Sequence, residues 1–154
     1  ELASTLGYVE RAADEGATIA TGGEAVSVPE APGGHFVAPT VITDVAPDME
    51  IAQSEVFGPV IAVLGVDSFD AAVAVANDVP YGLSASIVTG DLAEAHRFTD
   101  RAEAGVVKIN EKTTGLALHA PFGGFKDSST NTYREQGEAG LDFFSATKTV
   151  YINY

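Results

Sequence analysis

The chain contains no cysteine in its 154 residues. That excludes a disulfide-stapled scaffold and any thiolate metal site. Lysine is scarce: Lys108, Lys112, Lys126 and Lys148 are the four in the chain. Lys and Arg together number 8 against 22 Asp and Glu, a net charge of −14. Nucleic acid is therefore not expected as a partner, because phosphate binding needs clustered cations. No apolar run approaches the roughly 18 residues that cross a bilayer, so no membrane span is expected. No basic segment leads into an apolar one, so no secretory signal is read. His35, His96 and His119 are too scattered for a metal triad, and no metal site is expected. The chain begins at Glu1 and its single methionine is Met49. Either it has lost its start or it is a fragment.

What is present reads as globular. Hydrophobic residues make up 45% of a length that can bury a real core. The acids are spread from Glu1 to Asp142 rather than gathered in a tail. Self-repulsion of this size weakens a compact state at low salt, and concentrated salt screens it. The composition reads as a halophile's, an archaeon with a high-salt cytoplasm, where the protein is expected to reside. An ordinary acidic bacterial protein is the alternative.

Hydrophobic patterning gives alternating elements. A helix is expected over 2–15, with Leu2, Leu6, Val9 and Ala13 on one face and Gly16 as its stop. A short strand follows at 18–20, then a Pro/Gly loop at 29–34 and extended chain over 36–45. The apolar run 60–66 reads as a buried strand. Ser68 caps a helix running through Asn77, and Pro80 forbids its continuation. A strand at 83–88 precedes a helix capped by Asp91, with Glu94 completing a capping box, and running to Glu103. Gly105 is read as its stop. A strand at 106–110 opens a long polar loop over 111–132. A helix over 133–143 and a terminal strand over 147–154 complete the chain. Strand-helix-strand-helix-strand between 60 and 110 predicts parallel pairing with crossover helices. The fold class is α/β, a mostly parallel sheet with a C-terminal β-arm. The expected division is a body at 1–146 and the arm at 147–154.

Two short strings carry the most specific information: Glu55-Val56-Phe57-Gly58-Pro59-Val60 and Pro121-Phe122-Gly123-Gly124-Phe125-Lys126. Each sets an aromatic ring before backbone that turns tightly. A carboxylate two residues before a ring can accept hydrogen bonds from both hydroxyls of a ribose, while the ring packs on a flat heterocycle. With Pro80-Tyr81-Gly82-Leu83-Ser84-Ala85, Gly105-Val106-Val107-Lys108-Ile109-Asn110 and Lys148-Thr149-Val150, they resemble the aldehyde dehydrogenase superfamily. The resemblance covers essentially the whole chain but only the C-terminal part of that family's longer polypeptide.

The resemblance implies a truncated catalytic-domain fold and an NAD or NADP cofactor. In the family a cysteine thiolate attacks the aldehyde, hydride passes to the nicotinamide, and a glutamate-activated water releases the acid. This chain holds neither that cysteine nor a match to that glutamate's segment, so it contains no catalytic residue. Alone it is expected to be inactive and to hold no cofactor tightly. Glu55 is implied as the nicotinamide-ribose clamp and Phe57 as packing near the nicotinamide. Asn110 and Phe122 are implied near the aldehyde pocket. From spacing alone, Glu55 is a surface carboxylate, Phe57 and Phe122 are core rings, and Asn110 is a turn former. The segments 110–115 and 119–122 resemble the family's semialdehyde branch. Residues 128–136 also resemble enzymes that oxidise 2-oxoglutarate semialdehyde. Succinate semialdehyde and simple aliphatic aldehydes stay open as substrates. Lys112, Thr113 and Thr114 are candidate donors to a substrate carboxylate, or simply a solvated loop. Glu135 and Glu138 read as a solvated helix face. Arg134 is a candidate interface residue. The arm is implied to add to another subunit's sheet, giving a homo-oligomer. A free-standing oligomerisation module without catalysis is the alternative of a different class.

Overall fold

A computed structural model describes residues 1–115, 117–129 and 134–154. The chain is α/β and divides into two compact units, Glu1–Val79 and Pro80–Tyr154.

The first unit opens with α1 (Leu2–Asp14). It ends as the sequence predicts. Gly16 sits at φ +105, its N–H donates to the Ala13 carbonyl, and the Ala17 N–H reaches Ala12. That is a Schellman closure, which favours a glycine in the left-handed region. The buried stripe differs from expectation. Thr5, Val9 and Ala12 are buried, whereas Ala13 is exposed. The partner surface sets this rotation: Thr5 packs where the chain passes at Gly58. Strands β1 (Thr18–Thr21), β2 (Ala25–Val26), β3 (Phe36–Val37) and β4 (Thr40–Thr43) follow. After α2 (Glu50–Gln53) comes β5 (Val60–Ala62), and α3 (Phe69–Asn77) closes the unit. One sheet has the order β1-β4-β5, with β1 antiparallel and β5 parallel to β4. A separate hairpin pairs β2 with β3. Val9, Ala12, Ala17, Ile42, Val45 and Ile51 form the core. Ser68 caps α3 as predicted, its Oγ accepting from the Ala71 N–H at 3.1 Å.

The buried strand expected over 60–66 is corrected. Only Val60–Ala62 is strand, and Ile61 is 62% exposed. Among the described residues β5 has β4 on one side and no strand on the other, so it is an edge strand rather than the buried central one its apolar run suggests.

The second unit begins with β6 (Tyr81–Gly82) and β7 (Ser84–Ile87). It continues through α4 (Leu92–Arg101), β8 (Val106–Ile109), β9 (Phe125–Lys126) and α5 (Gly137–Phe143). β7 and β8 pair in parallel across the α4 crossover, as predicted. β6 pairs with β9 antiparallel. The sheets are thus mixed, with parallel pairs at β4/β5 and β7/β8 and antiparallel pairs elsewhere. Asp91 caps α4, its Oδ1 accepting from the Ala93 N–H at 2.7 Å. The capping box is replaced by a relay. Thr89 Oγ1 accepts from the Asp91 N–H at 3.0 Å and donates to Glu94 at 2.8 Å. The helix ends at Arg101 rather than Glu103, where Ala102 turns extended at ψ 124.

Two further expectations change. Helix 133–143 shortens to Gly137–Phe143; Tyr133 lies outside the described residues. Glu135 forms a bridge with Phe122, and Gln136 at φ +66 cannot be helical. Residues 147–154 form no strand: they have no ladder partner among the described residues, and Tyr151 is 90% exposed. β9 and α2, unlooked for, are too short to carry a periodic signal. Among the described residues, no helix is long and apolar enough to cross a membrane.

The excess of acids predicts a salt-dependent melt. Screening lengths fall from about 10 Å at 0.1 M to about 3 Å at 1 M. The melting temperature is expected to climb through that range of KCl. A flat or falling curve would leave the halophilic reading without support.

Candidate functional site

The Glu55–Phe57 turn lies in the first unit and is anchored from both ends by α1. Upstream, the Arg11 guanidinium forks onto the Glu50 carboxylate and stacks on Tyr8, 4.7 Å from the ring centre. Its bond to Glu50 raises the Arg11 pKa above the ordinary value. The Glu50 N–H donates to Glu15 Oε2 at 3.1 Å. Gln53 Nε2 donates to the Pro47 and Asp78 carbonyls, both at 2.7 Å. Downstream, a Cβ on Gly58 would stand 2.7 Å from Thr5 Cγ2 and 2.8 Å from its Oγ1, so only glycine lets the strand entry pass this close.

Between these anchors Val56 packs on the core while Glu55 and Phe57 face outward. Phe57 has φ +51 and is 81% exposed. A left-handed phenylalanine costs of order 1–3 kcal/mol, and such strain concentrates at ligand clamps. The plain core reading of Phe57 is thereby excluded. Both side chains border a hollow of about 320 Å³ with Ile51, Ser54, Val60 and Ala62.

In the second unit Phe122 is held by its backbone. It exchanges two hydrogen bonds of 2.7 Å with Glu135. The Gly123-Gly124 stretch passes directly over Gly105. A Cβ there would overlap the Gly123 carbonyl and stand 2.9 Å from Gly124 Cα. Gly105 is therefore a backbone crossing point, not the helix stop it resembles; α4 has already ended. Phe122 lines a cleft of about 610 Å³ with Lys108, Glu111, Lys112, Thr114 and Gln136.

Asn110 does not line that cleft. At φ +55 it turns the chain, its Oδ1 accepting from the Thr89 N–H at 2.9 Å and its Nδ2 donating to the Thr89 carbonyl at 3.0 Å. Asparagine tolerates this region better than most residues. Glu55 and Phe57 thus stand together in the first unit, and Asn110 and Phe122 in the second.

Sequence reasoning missed Lys108. A lysine inside the apolar strand Val106–Ile109 was the available signal. Its Nζ donates to the Thr114 carbonyl at 3.0 Å and to that of Gly115. Among the described residues, no group of three or more His, Cys, Asp or Glu is placed to hold a metal.

Residues 1–150 match the aldehyde dehydrogenase family. The chain belongs to that family. It is 64% identical over its whole length to an alpha-ketoglutarate semialdehyde dehydrogenase of Haloferax volcanii, spanning 32% of that protein. To a Bacillus subtilis alpha-ketoglutaric semialdehyde dehydrogenase it is 46% identical over 99% of the chain and 31% of the relative. Among solved structures, an NAD+ complex of an aldehyde dehydrogenase from Bacillus cereus superposes with TM-score 0.89 at 39% identity. It covers 99% of this chain and 30% of the neighbour. The chain therefore spans about a third of these relatives' length, and the resemblance to the haloarchaeal semialdehyde branch holds.

Proposed function

We propose that this chain is the C-terminal part of the catalytic region of an NAD(P)-dependent aldehyde dehydrogenase. The whole enzyme would oxidise a semialdehyde, 2-oxoglutarate semialdehyde foremost, to the acid in the cytoplasm. The observation that carries this reading is the Glu55–Phe57 turn, which keeps a carboxylate and an aromatic ring on a left-handed backbone, both exposed to solvent. That donor set fits a nucleoside-linked nicotinamide: Glu55 would accept the ribose hydroxyls, and Phe57 would pack against the ring. The bound cofactor would supply a hydride acceptor. Phe122 would wall the aldehyde pocket and exclude water from it. Asn110 would act through Thr89, by fixing the start of the loop that follows β8.

In the complete polypeptide, Glu55→Gln is expected to weaken cofactor binding by about 1.5–3 kcal/mol, because an amide keeps one acceptor oxygen where the carboxylate has two. NAD titration together with hydride-transfer rates checks this. Unchanged affinity with an unchanged rate would refute the role.

The arm at 147–154, distinct from the body at 1–146, is proposed to pair with a second subunit. It alternates Val150 and Ile152 against Thr149 and Tyr151, and its backbone needs partners. Neighbouring Phe144 is 87% exposed, as suits a surface that another chain covers. Light scattering in molar salt is expected to give an oligomer that loses mass when 147–154 is deleted. An oligomer unaffected by the deletion would remove the arm from assembly. The alternative, a module that only oligomerises, predicts a start codon at or near Glu1. The enzyme reading predicts an open frame upstream, with a cysteine codon some tens of residues before Glu1.

A further inference from the structure

We propose that Arg11 is a positioning residue for the cofactor clamp, coupling Glu50 to Tyr8 so that the Glu55–Phe57 turn keeps one geometry. This rests on the reading above that Glu55 and Phe57 hold a nicotinamide nucleotide.

α2 is a single turn of four residues, too short to persist on helix propensity alone. Met49, at its N-cap position, makes no side-chain bond to it. Its position is set from outside. Ile51 is buried in the core, and the C-terminal end of α1 holds its first residue. Glu15 accepts the Glu50 N–H, and the Arg11 guanidinium takes both oxygens of the Glu50 carboxylate. Only Ser54, extended at ψ 143, separates α2 from Glu55. A shift of α2 is therefore passed to Glu55 and Phe57 with little chain to absorb it.

The same guanidinium lies 4.7 Å from the centre of the Tyr8 ring. Tyr8 in turn borders a second hollow of about 440 Å³ together with Glu55, Val56 and Phe57. Arg11 itself lines neither this hollow nor the one that Glu55 shares with Ile51. It is placed to act through two neighbours rather than on a ligand. Through Glu50 it fixes the backbone that leads into the turn, and through Tyr8 it fixes a ring beside it.

The chemistry of a guanidinium suits this place. Both partners are partly exposed, 49% for the Arg11 side chain and 39% for that of Glu50. In molar salt the screening length is about 3 Å, so long-range attraction contributes little. What persists is contact: a planar fork on a carboxylate and a flat cation on a ring. An ammonium is a point charge and cannot hold both at fixed angles. Exposed ion pairs also add little to global stability, so the effect of Arg11 is local.

The test uses the complete polypeptide in molar KCl. It reads the NAD dissociation constant, KM for the aldehyde, the melting temperature and amide exchange at Glu50 and Ser54. Arg11→Gln is expected to weaken NAD binding about tenfold, because a displaced clamp loses its aligned contacts. KM for the aldehyde and the melting temperature should stay near the parent's. Exchange at Glu50 and Ser54, whose N–H groups donate to Glu15 and to the Glu50 carbonyl, should accelerate. Arg11→Lys keeps the charge without the fork and should recover only part of the affinity. Glu50→Ala should weaken NAD as Arg11→Gln does, and the double variant should be no weaker than either single one, because both remove the same link. A merely structural role would lower the melting temperature and leave the NAD affinity of the folded enzyme unchanged. Arg97→Gln, exposed on α4, removes the same charge elsewhere. An equal loss of NAD affinity there would trace the effect to net charge and overturn the inference. NAD affinity within about twofold of the parent's in both Arg11→Gln and Glu50→Ala also overturns it, while the cofactor reading stands if Glu55→Gln still binds NAD more weakly. Unchanged affinity in Glu55→Gln as well overturns the cofactor reading itself.

Discussion

Incubated with NAD and an aldehyde in high salt, the 154-residue chain is expected to form NADH no faster than background. The reason is chemical. Aldehyde oxidation in this family proceeds through attack by a cysteine thiolate, and the chain has none. The accelerations typical of enzymes, about a millionfold or more, depend on a nucleophile or base held near the reacting carbon. Neither the Glu55 turn nor the Phe122 cleft contains a thiol. In the roles proposed for them, Glu55, Phe57, Asn110 and Phe122 orient ligands and exclude water, and none of them makes or breaks a bond of the reaction. Turnover clearly above background would show that another residue serves as nucleophile and would sink this assignment of roles.

Gly105→Ala is expected to cost about 3 kcal/mol or more, at or beyond the upper end of ordinary overpacking. The added methyl would meet the Gly123 carbonyl and the Gly124 Cα, which are main-chain atoms and cannot turn aside as a side chain can. Their segment is fixed on the far side by the paired bonds between Phe122 and Glu135. Relief therefore requires breaking that bridge or lifting Phe122 out of the cleft wall. Hydrogen exchange at the Phe122 and Glu135 amides should accelerate by more than a hundredfold, at about 1.4 kcal/mol per decade. Gly90→Ala is the control: nothing lies within 4 Å of its added Cβ, and it should leave exchange there unchanged. Exchange at Phe122 as slow in Gly105→Ala as in the parent would show that the crossing can relax.

Caps and stops were legible wherever the signal is local. Gly16 closes α1, Ser68 and Asp91 cap α3 and α4, and α3 ends before Pro80. Each depends on a residue's own φ/ψ range or on a side chain reaching two or three residues along. Failures occurred where a distant segment decides the outcome. Glu94 appeared to complete a capping box, yet Thr89 intercepts it. Gly105 appeared to stop a helix, yet its lack of a Cβ admits a chain segment 18 residues on. Gln136 sat inside an apparent helix, yet the Glu135 bridge to Phe122 sets its backbone. The 60–66 run was apolar enough for a buried strand, but burial depends on neighbours that the run itself does not contain.

The sequence by itself determined the family, the α/β class, the acid excess and the two aromatic turns, because composition and short motifs need no partner to be read. It also determined that no cysteine chemistry can arise within these residues. Only the tertiary structure decided what each marked residue does. It put Phe57 in solvent on a left-handed backbone, engaged Asn110 with Thr89, and joined Arg11 to Glu50. The physical reason is that hydrogen-bond partners and exposure are properties of pairs brought together across the chain. Arg11 and Glu50 stand 39 residues apart and meet only once α1 and α2 have packed, and no local pattern encodes that pairing.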